Sequence, residues 1–204
     1  MGRTLQINQI KKMKTIAISG SPRENVGKRD AKELRYEGKV PAVLYGGQEQ
    51  IHFAVVATDL REAIYTPEAN FLEIDINGTK SKAIIKELQF HPLTDLLLHV
   101  DFLQLFDDKE ILMEIPVKLT GTSPGVKMGG KLVQKLRKLR VKALPANMPQ
   151  VVEVSIAKLE VGNLFRVRDI AKGDYVITNT PEDTIVSVGM SRALKQAEQQ
   201  AGKK

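Results

Sequence analysis

The chain has 204 residues, 42% of them hydrophobic, with a formal net charge of +7, a sequence pI of about 9.5 and no cysteine. This length predicts one large or two small domains, the hydrophobic content excludes global disorder, and the lack of cysteine excludes disulfides, Cys-ligated zinc, iron–sulfur clusters and thiol catalysis. The sequence contains no run of about 18 apolar residues, the length that a membrane span needs, and no signal-peptide core follows the basic N-terminus. We therefore expect a cytoplasmic protein with no membrane partner. The positive charge of the chain favours a polyanionic partner.

The first half of the chain is predicted to form short strands and two short helices. Residues 1–12 are expected to be a polar, basic leader, with Met13 as a candidate translation start. A strand at 15–19 and a turn at Gly20-Ser21-Pro22 precede a helix near 30–37, which Gly38 closes. Asn77-Gly78 predicts a type I′ hairpin, because both central residues of that turn need positive φ.

Period-two alternation predicts the remaining strands of this half, and Thr58 is predicted to cap a short helix at 59–64. The strands fall at 41–45, 53–57, 72–76, 82–88 and 99–105. Many short strands with two small helices indicate a compact β-barrel or another β-rich fold.

A second domain is expected to follow a boundary near residues 106–109. Alternation at 111–119 predicts a strand, and four glycines and one proline at 121–130 predict a long loop. Residues 131–142 fit both helical and strand spacing, and their β-rich surroundings favour a strand. Further short strands are predicted at 152–156, 164–167, 176–178 and 184–188. The expected organisation is a leader at 1–12, a β-barrel domain at 13–106, a β-rich domain at 107–190 and a polar, helical or disordered tail at 191–204.

Positive charge is concentrated at the two ends of the chain. Residues 1–39 carry ten Lys and Arg against four Asp and Glu, residues 40–106 carry four against nine, and residues 107–204 carry 17 against 11. If 28–39 is treated as helical, Lys28, Lys32, Arg35 and Lys39 share a stripe about 60° wide, while the acidic residues lie opposite. Arg23 and Arg29 flank this stripe.

Stacked like charges destabilise a helix by roughly 0.2–0.5 kcal/mol per pair, so segregated charge favours a polyanion such as RNA. The alternative is an ordinary amphipathic surface helix, with Ala31 and Leu34 as its docking edge. RNA duplexes are recognised mainly through phosphates, 2′-hydroxyls and irregular shape, which a rigid basic face can contact.

Several strings in a fixed order resemble a known family. In the first half they are GKVPAVLYGG at 38–47, QFHP at 89–92 and HVDF at 99–102, preceded by Gly27-Lys28, Ala31, Leu34 and Arg35. In the second half they are Pro116-Val117, Gly121, Gly125-Val126-Lys127, Gly129-Gly130, Leu144-Pro145, Pro149, Leu159 and Gly162. Together they resemble bacterial large-subunit ribosomal protein twenty-five, in its longer two-domain form, also called the CTC general stress protein.

This resemblance implies a mainly β protein, with an N-terminal six-stranded β-barrel that grips an irregular region of 5S rRNA and a C-terminal β-rich domain. It implies 5S rRNA and other large-subunit components as partners, with no cofactor. Glu33 departs from a position that is often basic in the family, and Phe90 departs from one where some members carry Arg. The implied RNA-facing set is Arg23, Lys28, Lys32, Arg35, Tyr45, Lys86, Gln89, His91, His99 and Asp101, to which the charge pattern adds Arg29.

An enzyme interpretation would use His91, His99 and Asp101 as a base, its orienting group or metal ligands. The chain has only three histidines and no nucleophile elbow, P-loop or His-Glu-x-x-His motif, so we expect no catalysis, metal or small-molecule substrate. A second alternative is a protein–protein interaction module, or a stress protein that acts off the ribosome. The basic run of the second domain, Lys131, Lys135, Arg137, Lys138, Arg140 and Lys142, fits RNA, an acidic protein surface or a solvated sheet edge.

Overall fold

The structure is a computed structural model that describes residues 13–47, 49–171 and 173–191. The expectations for the leader at 1–12 and for most of the tail at 191–204 lie outside these residues. The described chain divides into two compact units. The first comprises residues 13–111 with Leu144–Gln150, and the second comprises Leu112–Ala143 with residues from Val151 onward. In the first unit, Gln150 Nε2 donates a hydrogen bond to Glu68 Oε2 at 2.8 Å.

The first unit is a closed six-stranded barrel, which confirms the predicted fold class. Its strands are β1 Lys14–Pro22, β2 Lys39–Tyr45, β3 Ile51–Val56, β4 Asn70–Ile76, β5 Thr79–Phe90 and β6 Leu97–Gln104. Their order around the ring is β1-β3-β2-β6-β5-β4, with parallel pairing of β1 with β4 and of β2 with β6.

Alternation along each strand fills the barrel with one set of side chains and exposes the other. Phe53 and Phe102 lie at the centre with ring centroids 5.6 Å apart, surrounded by aliphatic residues such as Leu44, Leu72 and Ile74. Because inward and outward positions alternate, Val100 and Phe102 of β6 are fully buried, while Asp101 between them faces outward.

The predicted hairpin at Asn77-Gly78 is confirmed. These residues have φ values of 51° and 84°, and they join β4 to β5 with Ile76 paired to Thr79. Asp75 Oδ1 accepts a hydrogen bond of 2.8 Å from the Gly78 N–H, which closes the turn.

The predicted turn at Gly20-Ser21-Pro22 is wrong. These residues continue β1, which is parallel to β4 up to Gly20 and antiparallel to β3 from Gly20 to Pro22. The glycine is required by packing, because a Cβ there would lie 2.5 Å from Phe53 Cδ2 in the barrel core. Local turn propensity is therefore overridden by the strand that closes the barrel.

The first helix, α1, spans Lys28–Tyr36, and Gly38 follows it with φ of 76°. The predicted termination at Gly38 is confirmed, but Lys39 is the first residue of β2 and does not belong to the helix. The second helix, α2, spans Arg61–Tyr65, and the predicted cap at Thr58 is wrong because Leu60 precedes the helix and no side chain caps it. The Thr58 hydroxyl instead donates to Asp59 Oδ1.

The second unit contains two small sheets. Its strands are β7 Ile111–Thr120, β8 Lys131–Gln134, β9 Lys138–Ala143, β10 Val152–Ser155, β11 Leu164–Arg166, β12 Val176–Ile177 and β13 Thr184–Gly189. One sheet has the order β10-β7-β9-β12 and the other has the order β11-β13-β8. A buried cluster within this unit is formed by Ile156, Leu159, Val186 and Val188.

Two predictions for this unit have different outcomes. The segment 131–142 contains β8 and β9, so the strand prediction is confirmed, and in β9 Lys138, Arg140 and Lys142 share the exposed face. The long loop predicted at 121–130 instead contains a short helix, α3 at Pro124–Lys127, because Ser123 Oγ caps it by accepting from the Val126 N–H.

Candidate nucleic-acid interface

His99 and Asp101 face outward from β6, on the same face of the strand, with His99 Nδ1 2.7 Å from Asp101 Oδ1. An ionised carboxylate only accepts, so Nδ1 donates the hydrogen between them, which leaves Nε2 as the ring nitrogen outside this contact. Both side chains remain about one quarter exposed. The pair therefore presents His99 Nε2 and the acceptor oxygen Asp101 Oδ2 to an incoming ligand.

Strand β5 places Gln89 and Lys86 beside this pair. Gln89 lies opposite His99, and Glu87 lies opposite Asp101. A register shift between Ile85 and Glu87 leaves Lys86 as the extra residue of a bulge. In a regular strand Lys86 and Gln89 would face opposite sides, and the bulge exposes both.

Tyr45, the last residue of β2, completes the group on the other side of β6. It pairs with Leu103, while its neighbour Val43, two residues earlier, pairs with Asp101. Partial burial and the negative charges of Asp101 and Glu87 raise the pKa of the Tyr45 phenol, which stays protonated as a donor at neutral pH. We name Tyr45, Lys86, Gln89, His99 and Asp101 the outer polar face, since they share the outside of the adjacent strands β2, β6 and β5.

His91 lies just beyond this face, in the turn between β5 and β6. Its Nδ1 accepts from the Leu93 and Thr94 N–H groups, each at 3.3 Å, and the backbone N–H of His91 donates to Leu96 O at 2.8 Å. Because Nδ1 accepts, the proton of the neutral ring is on Nε2. His91 thus organises the turn with one nitrogen and keeps a donor on the other.

Helix α1 lies against β2 and carries Lys28, Lys32 and Arg35, which we name the cationic stripe. The prediction that these three share a helix is confirmed, while Lys39 is excluded by the end of the helix and pairs with Glu37 at 3.0 Å. Arg35 Nε and Nη2 both donate to Leu98 O, at 3.0 and 2.9 Å. Leu98 precedes His99, so Arg35 ties the cationic stripe to the outer polar face.

Two of the predicted RNA-facing arginines are engaged by carboxylates of the chain itself. Arg23 is only 9% exposed at its side chain, and its guanidinium forms an ion pair with Asp30 of α1 and donates to Asn25 O at 3.3 Å. Arg29 is 95% exposed and lies 3.3 Å from Glu33 Oε1 in an i,i+4 pair. Arg29 is available to a ligand at little cost, whereas Arg23 holds the segment before α1 in place.

We predict that Arg23→Met lowers the free energy of unfolding by about 1–2 kcal/mol, because it removes charge-assisted hydrogen bonds from a half-buried pair. Urea denaturation of the full chain measures this change. The salt dependence of RNA binding should be unchanged, with Arg29→Met as the control for loss of an exposed charge. A normal stability with a reduced salt dependence would instead make Arg23 a direct phosphate contact.

Sequence reasoning missed two residues that belong to this surface. Glu87 lies opposite Asp101. The sequence pattern does not predict which face of β5 carries Glu87, because the bulge at Lys86 breaks the alternation of inward and outward residues. Tyr36 is 79% exposed at the end of α1, and Lys32 Nζ lies 5.7 Å from its ring centroid. Its position about 40° from Lys32 on a helical wheel is the sequence signal that could have found it.

The arrangement supports binding through many polar contacts. The cationic stripe supplies positive charge, and the outer polar face combines hydrogen-bond donors with the acceptor oxygen of Asp101. Among the described residues, no group of three or more His, Cys, Asp or Glu side chains is placed to hold a metal ion. In the same part of the chain, no helix is both long and apolar enough to cross a membrane.

Comparisons with known proteins give consistent results for both units. Residues 18–102 match the model of the Ribosomal L25p family, and residues 110–192 match that of the ribosomal protein TL5 C-terminal domain. A protein of Cytophaga hutchinsonii named large ribosomal subunit protein bL25 is 45% identical over 192 residues, covering 94% of this chain and all of the relative. The proteins of the same name from Amoebophilus asiaticus and Bacteroides fragilis are 44% and 39% identical, covering 90% and 94% of this chain and 93% and 100% of the relatives.

These relatives are named as ribosomal proteins, and their family is not enzymatic, so the expectation that the chain is not an enzyme is confirmed. The two matched models lie in the same order as the two compact units, and they cover most of the sequence. The chain therefore belongs to the large ribosomal subunit protein bL25 family, in the form that carries a TL5-type C-terminal domain.

Proposed function

We propose that this chain is a structural constituent of the large ribosomal subunit that binds 5S rRNA through the outer polar face and the cationic stripe. Its neighbours are then 5S rRNA and other large-subunit components, and its location is the ribosome in the bacterial cytoplasm. Binding requires no cofactor or turnover, because the surface is preformed on a closed barrel.

The observation that carries the proposal is the continuity of the two surfaces. Arg35 bonds to the carbonyl of Leu98, beside His99, so the cations of α1 and the mixed polar groups of β6 meet at one edge. Phosphates require cations, whereas 2′-hydroxyls and base edges require both donors and acceptors. A folded RNA offers both sets of groups at once, and this surface is complementary to both.

The negative groups favour RNA with an irregular shape over a generic polyanion. Asp101 belongs to the outer polar face and Glu87 lies opposite it on β5, so phosphates bound at this face would repel both. A site that only attracted negative charge would not place carboxylates there. Asp101 is useful if a base amino group or a 2′-hydroxyl donates to it, which requires a defined RNA structure.

Capture from a bacterial lysate tests the proposal. The full chain with an affinity tag is incubated with cleared lysate, and the retained RNA is sequenced. We expect 5S rRNA to be strongly enriched over fragments of the other ribosomal RNAs, and a variant with both Lys28 and Lys32 changed to Glu to lose it. Retention of proteins with no enriched RNA would favour the protein-interaction alternative.

A further inference from the structure

We infer that Tyr36 is a base-stacking residue, which extends the RNA-binding surface beyond the cationic stripe to an unpaired or irregularly paired nucleobase. This inference rests on the proposed function, since it names a contact within the same RNA complex. The observation behind it is a tyrosine ring that is almost fully exposed, lies next to the stripe and is held by one of the stripe's own lysines.

The position of Tyr36 follows from the geometry of α1. Four residues separate it from Lys32, so the two side chains are neighbours on one face of the helix. Lys32 Nζ lies 5.7 Å from the Tyr36 ring centroid, within the range of a cation–π contact. The ring therefore forms the border of the cationic stripe.

The exposure of this ring has no structural explanation within the first unit. Tyr36 is 79% exposed, and its hydroxyl makes no hydrogen bond to the described residues. The half-buried apolar residues of α1 are Ala31 and Leu34, which lie about 100° and about 160° from Lys32 on the helical wheel. Tyr36 thus contributes little to the docking of α1 on the barrel.

An aromatic ring beside cations suits RNA for a physical reason. Every nucleobase has a π-face, and stacking on an aromatic side chain is worth about 1–3 kcal/mol per base when measured by alanine substitution. Lys32 neutralises the phosphate of the same nucleotide while the ring contacts its base. An acidic protein surface would use the lysine and gain little from the ring.

The chain provides a matched control in Tyr65. It is 68% exposed at the end of α2, whose Glu62 forms an ion pair with Lys14 of β1. Strand β1 lies three positions from β6 in either direction around the six-stranded ring. Tyr65 therefore has similar exposure on the side of the barrel away from the proposed interface.

Affinity measurements with purified 5S rRNA test the inference. Tyr36→Ala should weaken binding by about five- to 150-fold, Tyr36→Phe should bind like the wild type, and Tyr65→Ala should be unchanged. Wild-type affinity in Tyr36→Ala would overturn the inference while leaving the proposed function intact. Loss in Tyr36→Phe equal to that in Tyr36→Ala would also overturn it, since a hydroxyl contact would then replace stacking.

The salt dependence separates stacking from an indirect effect through Lys32. Stacking releases no counterions, so the slope of log affinity against log salt should be the same for Tyr36→Ala and the wild type. If Tyr36 only positioned Lys32, the slope would decrease in size by about 0.7–0.9, the value of one phosphate contact. That result would overturn the inference.

Fluorescence gives an independent readout because the chain has no tryptophan. Tyr36→Trp introduces a single reporter ring, whose emission should be quenched on addition of 5S rRNA, whereas Tyr65→Trp should show no change. Binding of Tyr36→Trp without quenching would contradict stacking. If no variant and no wild-type protein bound 5S rRNA, the proposed function itself would fail, which is a distinct outcome.

Discussion

Reversing two charges of the cationic stripe, in Lys28→Glu with Lys32→Glu, is expected to weaken 5S rRNA binding by about 100-fold. Each lysine is exposed on α1 and forms no ion pair within the described residues. Loss of two charge-assisted phosphate contacts at about 1.4 kcal/mol each gives this factor, and the salt slope should shrink by about 1.4–1.8. Titration of labelled RNA at several salt concentrations measures both quantities.

The fold should survive this change. Lys28 and Lys32 are four residues apart, so the substitution exchanges one like-charge pair for another, and acidic residues at the beginning of a helix interact favourably with its dipole. The matched control is Arg61→Glu with Lys80→Glu, which alters the net charge equally on other exposed parts of the barrel. An equal loss of affinity for 5S rRNA in the two double variants would mean that the total charge of the protein, and not the cationic stripe, determines binding.

The substitution Asp101→Asn is expected to weaken 5S rRNA binding about tenfold while slightly strengthening binding to unrelated RNA. The carboxylate is half-buried and shares one oxygen with His99, which leaves Oδ2 to accept from the RNA. Loss of a hydrogen bond to a charged group costs about 1.5 kcal/mol or more, whereas removing a negative charge reduces repulsion of any phosphate. Parallel titrations with 5S rRNA and transfer RNA measure the two effects.

Because Asp101→Asn is expected to weaken binding to 5S rRNA and to strengthen binding to unrelated RNA, the pair of titrations tests the role of the outer polar face directly. As a control, Asp59→Asn removes a carboxylate of the same charge near α2. This variant should change the affinity for 5S rRNA and for transfer RNA by no more than a small factor. If Asp101→Asn strengthened binding to both RNAs, Asp101 would be only a repulsive neighbour, and its proposed role as an acceptor would be lost.

Much of the barrel could be predicted from the sequence because its signals are local. Alternating apolar residues gave the strands, and Asn77-Gly78 gave the hairpin, since its two positive φ values are an intrinsic preference of those residues. Gly20 shows where local reasoning fails. Its neighbours Ser21 and Pro22 favour a turn, but the barrel closes only if β1 continues past Phe53, and only glycine fits there.

The site was predictable in its composition but less so in its geometry. The helical period placed Lys32 and Arg35 together, and both lie on α1. The partner of Arg35 is a carbonyl 63 positions along the chain, and no local pattern reports such a contact. The same is true of the bulge at Lys86, because a register shift depends on the pairing of β5 with β6.

Arg23 shows that a charge pattern along the sequence does not report ion pairs formed within the fold. Its place beside the stripe suggested an RNA contact, but the folded chain holds its guanidinium against Asp30 and leaves 9% of the side chain exposed. Charge counting does not distinguish a cation that awaits a ligand from one that is already paired. The three-dimensional position of each carboxylate makes that distinction.

The most direct test of the account compares 5S rRNA with a transcript of the same length and scrambled sequence, each titrated with the full chain at physiological salt. We expect the affinities of the two RNAs to differ by at least about 1000-fold, the lower end of the specificity of site-selective nucleic-acid binding. Equal affinities would show that the surface attracts any polyanion, and the assignment of 5S rRNA as its partner would then be incorrect.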